Sequence, residues 1–461
     1  MFERAIERLR IHLLTVLSLL TPTALARAGE AQPLVIRHAS VFDAGRAAMQ
    51  PDRTIVIEGE NIKEIGSPDR PVAIPSGARI LDGSGRFVIP GLIDAHVHLV
   101  HLADRTHVTG DEFLPLFLAA GVTSVRSAGD AIVAEAGVAH FAEAHPDRCP
   151  RVFLASPLID GPTPTHRDVG YSLVDVARVA PFVEDMARWR ATTLKIYVGT
   201  PREVGRAVIR EGHRRGLVVA GHLGVYSAQD AVEDGIDCLE HIWSVFNYAI
   251  PSEVTSRPDH RADLDLDNPR CRDLVAAIAR RRVAVDPTLV VFRNMIYLND
   301  LPEVREHPDQ RLAPARMRHF WDSYARSSNL PPASRELRRK EVRKYQELTG
   351  MLHRAGVTIL AGTDTPEPFV TPGFSLHQEL ELLVESGLTP AVALQSATYH
   401  NAAILKQSDR LGRIAPGLLA DLVVLTADPT AEIRHTRRIE YIIRGGRVIR
   451  PGEALRHVPT E

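Results

Sequence analysis

The sequence predicts an α/β fold, a (β/α)8 TIM barrel joined to a small β-sandwich domain that both ends of the chain build. Three observations carry this. Apolar runs with strand character alternate with helical stretches through the middle of the chain. Several of those runs end in His, Lys or Asp, as barrel strands do where they meet an active-site face. Two segments dense in short strands and turns flank the middle, one near each terminus.

The N-terminal stretch contains Arg4, Arg8 and Arg10, an apolar run follows at 11–20, and Ala24-Leu25-Ala26 and Ala28 come next. A basic start, a short apolar core and an Ala-x-Ala site describe a secretory signal peptide over residues 1–28, cleaved after Ala26 or Ala28. The run is too short to cross a bilayer comfortably. The expectation is an exported protein, periplasmic or secreted, with no stable membrane insertion after cleavage. Residues 34–43, 54–59 and 62–66 have the character of short strands, and 420–425 and 439–448 repeat that texture. They define a composite β-sandwich at 33–88 and 408–455, which leaves 89–407 for the barrel.

Within the barrel, the apolar run from Val88 ends in Asp94-Ala95-His96-Val97-His98. Side chains two apart on a strand share a face, so His96 and His98 stand as two ligands of one metal would. In residues 192–198, Leu194, Ile196 and Val198 form one face and Thr193, Lys195 and Tyr197 the other. In a parallel barrel this second face points inward, where a bare ammonium is costly. Lys195 therefore needs a partner or a modification. Residues 217–222 end in His222, 235–241 in His241 and 356–364 in Asp364. Helical stretches at 201–215, 228–234 and 273–282 separate strand candidates. A long charged insertion at about 291–350 breaks the rhythm after a candidate seventh strand at 283–289. It starts on the active-site face and reads equally as a lid or as an outer helix with a solvated side.

With 44% hydrophobic residues and a formal charge of -2, the composition is that of an ordinary globular chain, and no basic field points to nucleic acid. Cys149, Cys238 and Cys271 make neither a Cys-x-x-Cys metal pattern nor a disulfide framework.

The ordered set His-x-His, Lys, His, His, Asp at successive strand ends resembles the amidohydrolase superfamily, specifically its members with a binuclear metal centre bridged by a carboxylated lysine. The resemblance covers nearly all of the chain after residue 33. It implies that His96 and His98 hold the buried metal, that carboxylated Lys195 bridges two divalent ions, and that His222 and His241 hold the more exposed one. Zinc is the expected metal. Asp364 is implied as both metal ligand and catalytic proton shuttle, while Tyr197, His166 and Arg126 are candidates for contact with a small-molecule substrate. The implied reaction is hydrolysis of a C–N amide or peptide bond in a dipeptide or N-acyl amino acid by a metal-bridging hydroxide. Lactone or phosphotriester hydrolysis would use the same centre. Deaminases of the superfamily carry Glu three residues after the equivalent of His222, where this chain has Val225. Relatives that act as assembly proteins have lost their metal ligands, and this chain keeps its set. With the segment Gly373-Phe374-Ser375-Leu376-His377-Gln378-Glu379-Leu380, the sequence is most similar to the imidazolonepropionase-related and Xaa-Pro-dipeptidase-like branch. Imidazolonepropionases do not use the bridging lysine, which favours the dipeptidase-like side. Homo-oligomerisation stays open.

Overall fold

The computed structural model describes residues 32–255, 259–297, 302–327 and 331–459. The signal peptide expected at 1–28 lies outside the described residues. Among the described residues no helix is long and apolar enough to cross a membrane.

The two ends of the chain meet in one sheet. Leu34–Asp43 pairs antiparallel with Ala48–Glu58 on one edge, while its other edge takes Arg79–Asp82 and then Phe87–Pro90, both in parallel. Phe87–Pro90 in turn pairs antiparallel with Leu422–Leu425, which continues into Ile439–Arg444 and Arg447–Ile449. Alternation along these strands sends Leu34, Ile36, Val41, Ile55, Ile57, Leu422, Val424 and Ile443 into a core separate from that of the rest of the chain. An eight-stranded sheet branches into two arms at the shared strand Leu34–Asp43.

The middle of the chain is α/β with parallel sheets. Leu92–Val97, Val122–Ser127 and Arg151–Phe153 form one of them. The other runs Gly170–Ser172, Leu158–Asp160, Thr193–Ile196, Val218–Gly221, Cys238–Glu240, Ala284–Asp286. Leu92–Val97, Val122–Ser127, Thr193–Ile196 and Val218–Gly221 are buried at every position, as parallel strands covered by helices must be. The crossover helices start and stop where local chemistry dictates. Ser227 accepts the Asp230 N–H ahead of Ala228–Asp234, and Gly235 ends that helix at φ +93°. Asn268 caps Pro269–Arg281 in the same way, with proline in the first turn.

Isolated parallel bridges connect Ala155 with Thr193, Val285 with Ile359, and Val97 with Thr365. Residues 356–364, expected as a full strand, carry a single bridge, Ile359 with Val285, together with backbone hydrogen bonds such as that from the Ala95 N–H to the Ala361 carbonyl at 3.1 Å. They press hard against the neighbouring strand ends. A Cβ on Gly362 would fall 2.3 Å from Asp286 Oδ2 and 2.6 Å from His96 Cβ, so no larger residue fits there. Ala95, Ala220, Cys238, Ala284 and Leu360, from five separate runs, pack together beneath this region. All three cysteines are buried and unpaired.

The charged insertion is helical. It comprises Leu289–Tyr297, Pro302–Arg305, a 3-10 turn at Pro308–Leu312, Ala315–Ser327 and Pro332–Arg354. Its polar side faces solvent, but Trp321 and Met317 are wholly buried, and the Trp321 indole N–H donates to the Pro366 carbonyl at 3.4 Å.

Candidate metal centre and substrate cavity

Strand ends bring His96, His98, Lys195, His222, His241 and Asp364 around one cavity of about 310 Å³. His96, His98 and Asp364 offer ligand atoms lying within 4.8 Å of one another. Asp364 Oδ1 sits 3.3 Å from Nε2 of each histidine. The opposite ring nitrogens are occupied. Nδ1 of His96 meets Glu240 Oε2 at 2.7 Å, and Nδ1 of His98 meets the Gly129 carbonyl at 3.0 Å. Such bonds fix the tautomer, leaving the Nε2 lone pairs to face the site, as ligating imidazoles require. Gly129 reaches this position at φ +126°, and a Cβ there would strike Leu158 at 2.4 Å.

Lys195 is 1% exposed and its Nζ has no hydrogen-bond partner. Burial, reinforced by Arg126, pushes its pKa below the ordinary lysine value, although Glu240 opposes the shift. His222 packs edge-on against His241 with ring centres 4.5 Å apart, and against Tyr197 at 4.9 Å. Burial first, then the Lys195 charge, push the His222 pKa down to about 3, which keeps its lone pair free. His241 opens the helix His241–Ala249 at φ +60°, and Asp364 stands at φ +64°. Left-handed conformations of non-glycine residues cost on the order of 1–3 kcal/mol each and persist where the surroundings impose them. Here Thr288 Oγ1 lies 2.7 Å from His241 Nδ1, and the Asp364 N–H donates to the His96 carbonyl at 2.8 Å.

Beneath the cavity lies a layer of buried charge made by Arg126, Glu240 and Asp286. Arg126, expected to touch substrate, is fully buried and absent from the cavity wall; its Nη2 reaches Glu240 Oε1 at 2.6 Å. Arg126 therefore holds the carboxylate that orients His96. Burial would raise the Glu240 pKa, but Arg126, Lys195 and His96 outweigh it and hold the carboxyl well below its usual range. Asp286, also buried, is pushed well above the usual carboxylate range by burial and by Glu240. The signal for Asp286 was present in the sequence, a carboxylate ending an apolar run. Glu240 was hidden beside His241. His98 also feels Asp130 and Asp364, and their hydrogen bonds and charges overcome desolvation to raise its pKa to about 10 when no metal competes.

Of the other substrate-contact candidates, His166 and Tyr197 both line the cavity, with His166 Nε2 3.1 Å from the Tyr197 hydroxyl. His101, Glu367 and the insertion residues Phe292, Met295, Phe320 and Tyr324 join them.

The Amidohydrolase family pattern matches residues 87–449, and the chain belongs to that family of hydrolases acting on carbon–nitrogen bonds. It is 28% identical over 405 residues to the imidazolonepropionase of Cereibacter sphaeroides, covering 83% of this chain and 90% of that protein. Among solved structures it resembles a bottromycin amidohydrolase, with TM-score 0.73, 25% identity and coverage of 92% of this chain and 88% of that one. A Xaa-Pro dipeptidase with bound methionine in its active site shares the fold at TM-score 0.68 and 20% identity, covering 91% of this chain and 100% of that one.

Proposed function

We propose that the protein is a metal-dependent hydrolase of the amide or peptide bond in small substrates of dipeptide or N-acyl amino acid type. The observation that carries this reading is the convergence of His96, His98 and Asp364 beside an unpartnered, fully buried Lys195 Nζ. The imidazolonepropionase and dipeptidase likenesses support the bond type. The three isolated bridges and the shared cluster of Ala95, Ala220, Cys238, Ala284 and Leu360 support a closed (β/α)8 barrel around the cavity.

The donor set suits two divalent cations of the zinc type. His96, His98 and Asp364 would hold one and His222 and His241 the other, with carboxylated Lys195 between them. Burial shifts Lys195 toward its neutral amine, the form that attacks carbon dioxide; the new N–C bond forms as the nitrogen loses a proton. Bound metal lowers the pKa of water from about 15.7 towards about 7 and polarises a carbonyl. The chain does the rest. Asp364 Oδ1 faces His96 and His98, leaving Oδ2, 3.8 Å from His241 Nδ1, to carry a proton to the departing nitrogen. Glu240 fixes His96, and the His166–Tyr197 pair offers polar contacts to the substrate.

Lys195→Ala tests the centre. Metal content and hydrolysis should fall together, and short carboxylates should restore part of both. Full metal occupancy and full activity in that variant would remove the bridge from the proposal. A panel of dipeptides, N-acyl amino acids, aryl amides and lactones tests the bond type, and turnover confined to lactones would overturn it. Export is part of the same proposal: intact-mass measurement of protein from its native host should give a chain beginning at Arg27 or Gly29, and a cytoplasmic species that retains Met1 would overturn it.

A further inference from the structure

The cavity has an apolar wall supplied by the insertion. The helix Leu289–Tyr297 contributes Val291, Phe292 and Met295, and Ala315–Ser327 contributes Phe320 and Tyr324, four residues apart and so on one helix face. We propose that these five side chains form a subsite for a bulky apolar group of the substrate, an aryl or branched alkyl group close to the scissile carbonyl. The proposal rests on the hydrolase reading for the position of the scissile bond.

Three features of the structure support it. The wall is continuous with the ligand cluster, since the Phe292 ring centre lies 6.0 Å from that of His241, edge to face. The cavity of about 310 Å³ is of a size that takes a small ligand, and apolar side chains lining such a space release water when a matching group enters. The wall is also held in place from behind. Both Glu379 carboxylate oxygens accept from the start of Leu289–Tyr297, Oε1 from the Leu289 N–H at 3.0 Å and Oε2 from the Val290 N–H at 2.7 Å. Asn294 Nδ2 donates to the Phe369 carbonyl at 2.6 Å. Phe292 abuts Tyr345 at 5.1 Å, and Tyr345 packs on Phe246 at 4.8 Å. Trp321, adjacent to Phe320, packs its ring 5.8 Å from Phe369, so both helices lean on the same residue. A wall already ordered loses little conformational freedom on binding, which leaves more of the apolar contact to appear as affinity. On this account the insertion selects substrates and the strand ends process them.

Calorimetric titration of the metal-loaded, full-length protein with straight-chain carboxylates from acetate to octanoate tests the subsite without requiring turnover. Affinity should rise about fourfold for each methylene buried, until the space is full. Phe320→Asp and, separately, Met295→Asp should flatten that rise, while Phe320→Leu should keep most of it; circular dichroism establishes that each variant is folded. Affinity independent of chain length in the wild-type protein would overturn the subsite, as would an unchanged rise in both aspartate variants. A chain-length dependence without hydrolysis of any dipeptide or N-acyl amino acid would leave the subsite standing and remove the reaction proposed above. Hydrolysis with a flat series would do the reverse.

Discussion

The two walls of the cavity are built by opposite means. The strand-end wall, with His96, His98, Lys195, His222, His241 and Asp364, is polar, and its side chains are held by hydrogen bonds and by a buried charge layer. The insertion wall, with Phe292, Met295, Phe320 and Tyr324, is apolar and is held by packing against Tyr345, Trp321 and Phe369. Charges and hydrogen bonds specify positions to fractions of an ångström, as reacting groups need. Apolar packing specifies volume, which is what selecting a substrate group needs. The difference teaches that changes in the first wall should act on turnover and metal, and changes behind the second on stability and selectivity.

The largest expected effect comes from the polar wall. Asp364→Asn keeps the size of the side chain and removes the group proposed to carry the proton, so kcat should fall by about 10²- to 10⁴-fold, the usual contribution of a general acid–base group. Steady-state kinetics with metal content measured in parallel decide it, and near wild-type kcat with metal retained would assign the proton transfer elsewhere. Behind the apolar wall, Trp321→Ala removes a side chain that is 1% exposed. It should destabilise the insertion by ~3–5 kcal/mol, the range for a buried tryptophan. Urea unfolding followed by fluorescence measures this, and a shift below 1 kcal/mol, taken as roughly the ordinary mutational background, would mean the wall is not held as described.

A smaller effect is expected from Glu240→Gln, which leaves Arg126 and His96 without the carboxylate between them. Metal affinity should weaken by about 10- to 100-fold, as for other residues that orient a ligating histidine. Competition with a chelator reads it directly. Unchanged affinity would make the buried charge layer purely structural.

The smallest effect concerns Glu379, the buried carboxylate at the start of the Leu289–Tyr297 helix. Burial pushes its pKa up to about 8, although two backbone N–H groups and Arg293 pull it down. The folded state therefore binds a proton that the unfolded chain has released. The contribution to stability is fully present below the ordinary Glu value, is lost as pH rises through about 8, and declines by about 1.4 kcal/mol per pH unit between. Glu379→Gln should remove that slope, whatever it does to overall stability. Denaturation midpoints at pH 5.5 and 7.5, chosen to fall roughly inside this window, compare the two proteins; equal slopes would show that Glu379 is ionised throughout.

Much of the polar wall was legible because local rules reach it. A two-residue strand period puts His96 and His98 on one face, and apolar runs ending in polar residues marked His222, His241 and Asp364. Ser227 and Gly235 bracket their helix by capping chemistry that requires no partner from elsewhere. Arg126 shows where such rules stop. It was assigned to the substrate because it follows an apolar run, but its partner Glu240 lies 114 residues away, and nothing local reveals that pairing.

What the sequence determined by itself was therefore the alternation of elements, the faces of the strands and the polar residues at their ends, all of which follow from backbone period and side-chain type. The tertiary structure alone decided which groups became partners. It decided that Glu240 holds both His96 and Arg126, that Gly362 passes between His96 and Asp286, that the terminal strands join in one split sheet, and that a charged insertion turns Phe292 and Phe320 toward the cavity. The physical reason is one of range. Period and capping act within a few residues, whereas burial and charge pairing depend on distances in space that only the folded chain defines.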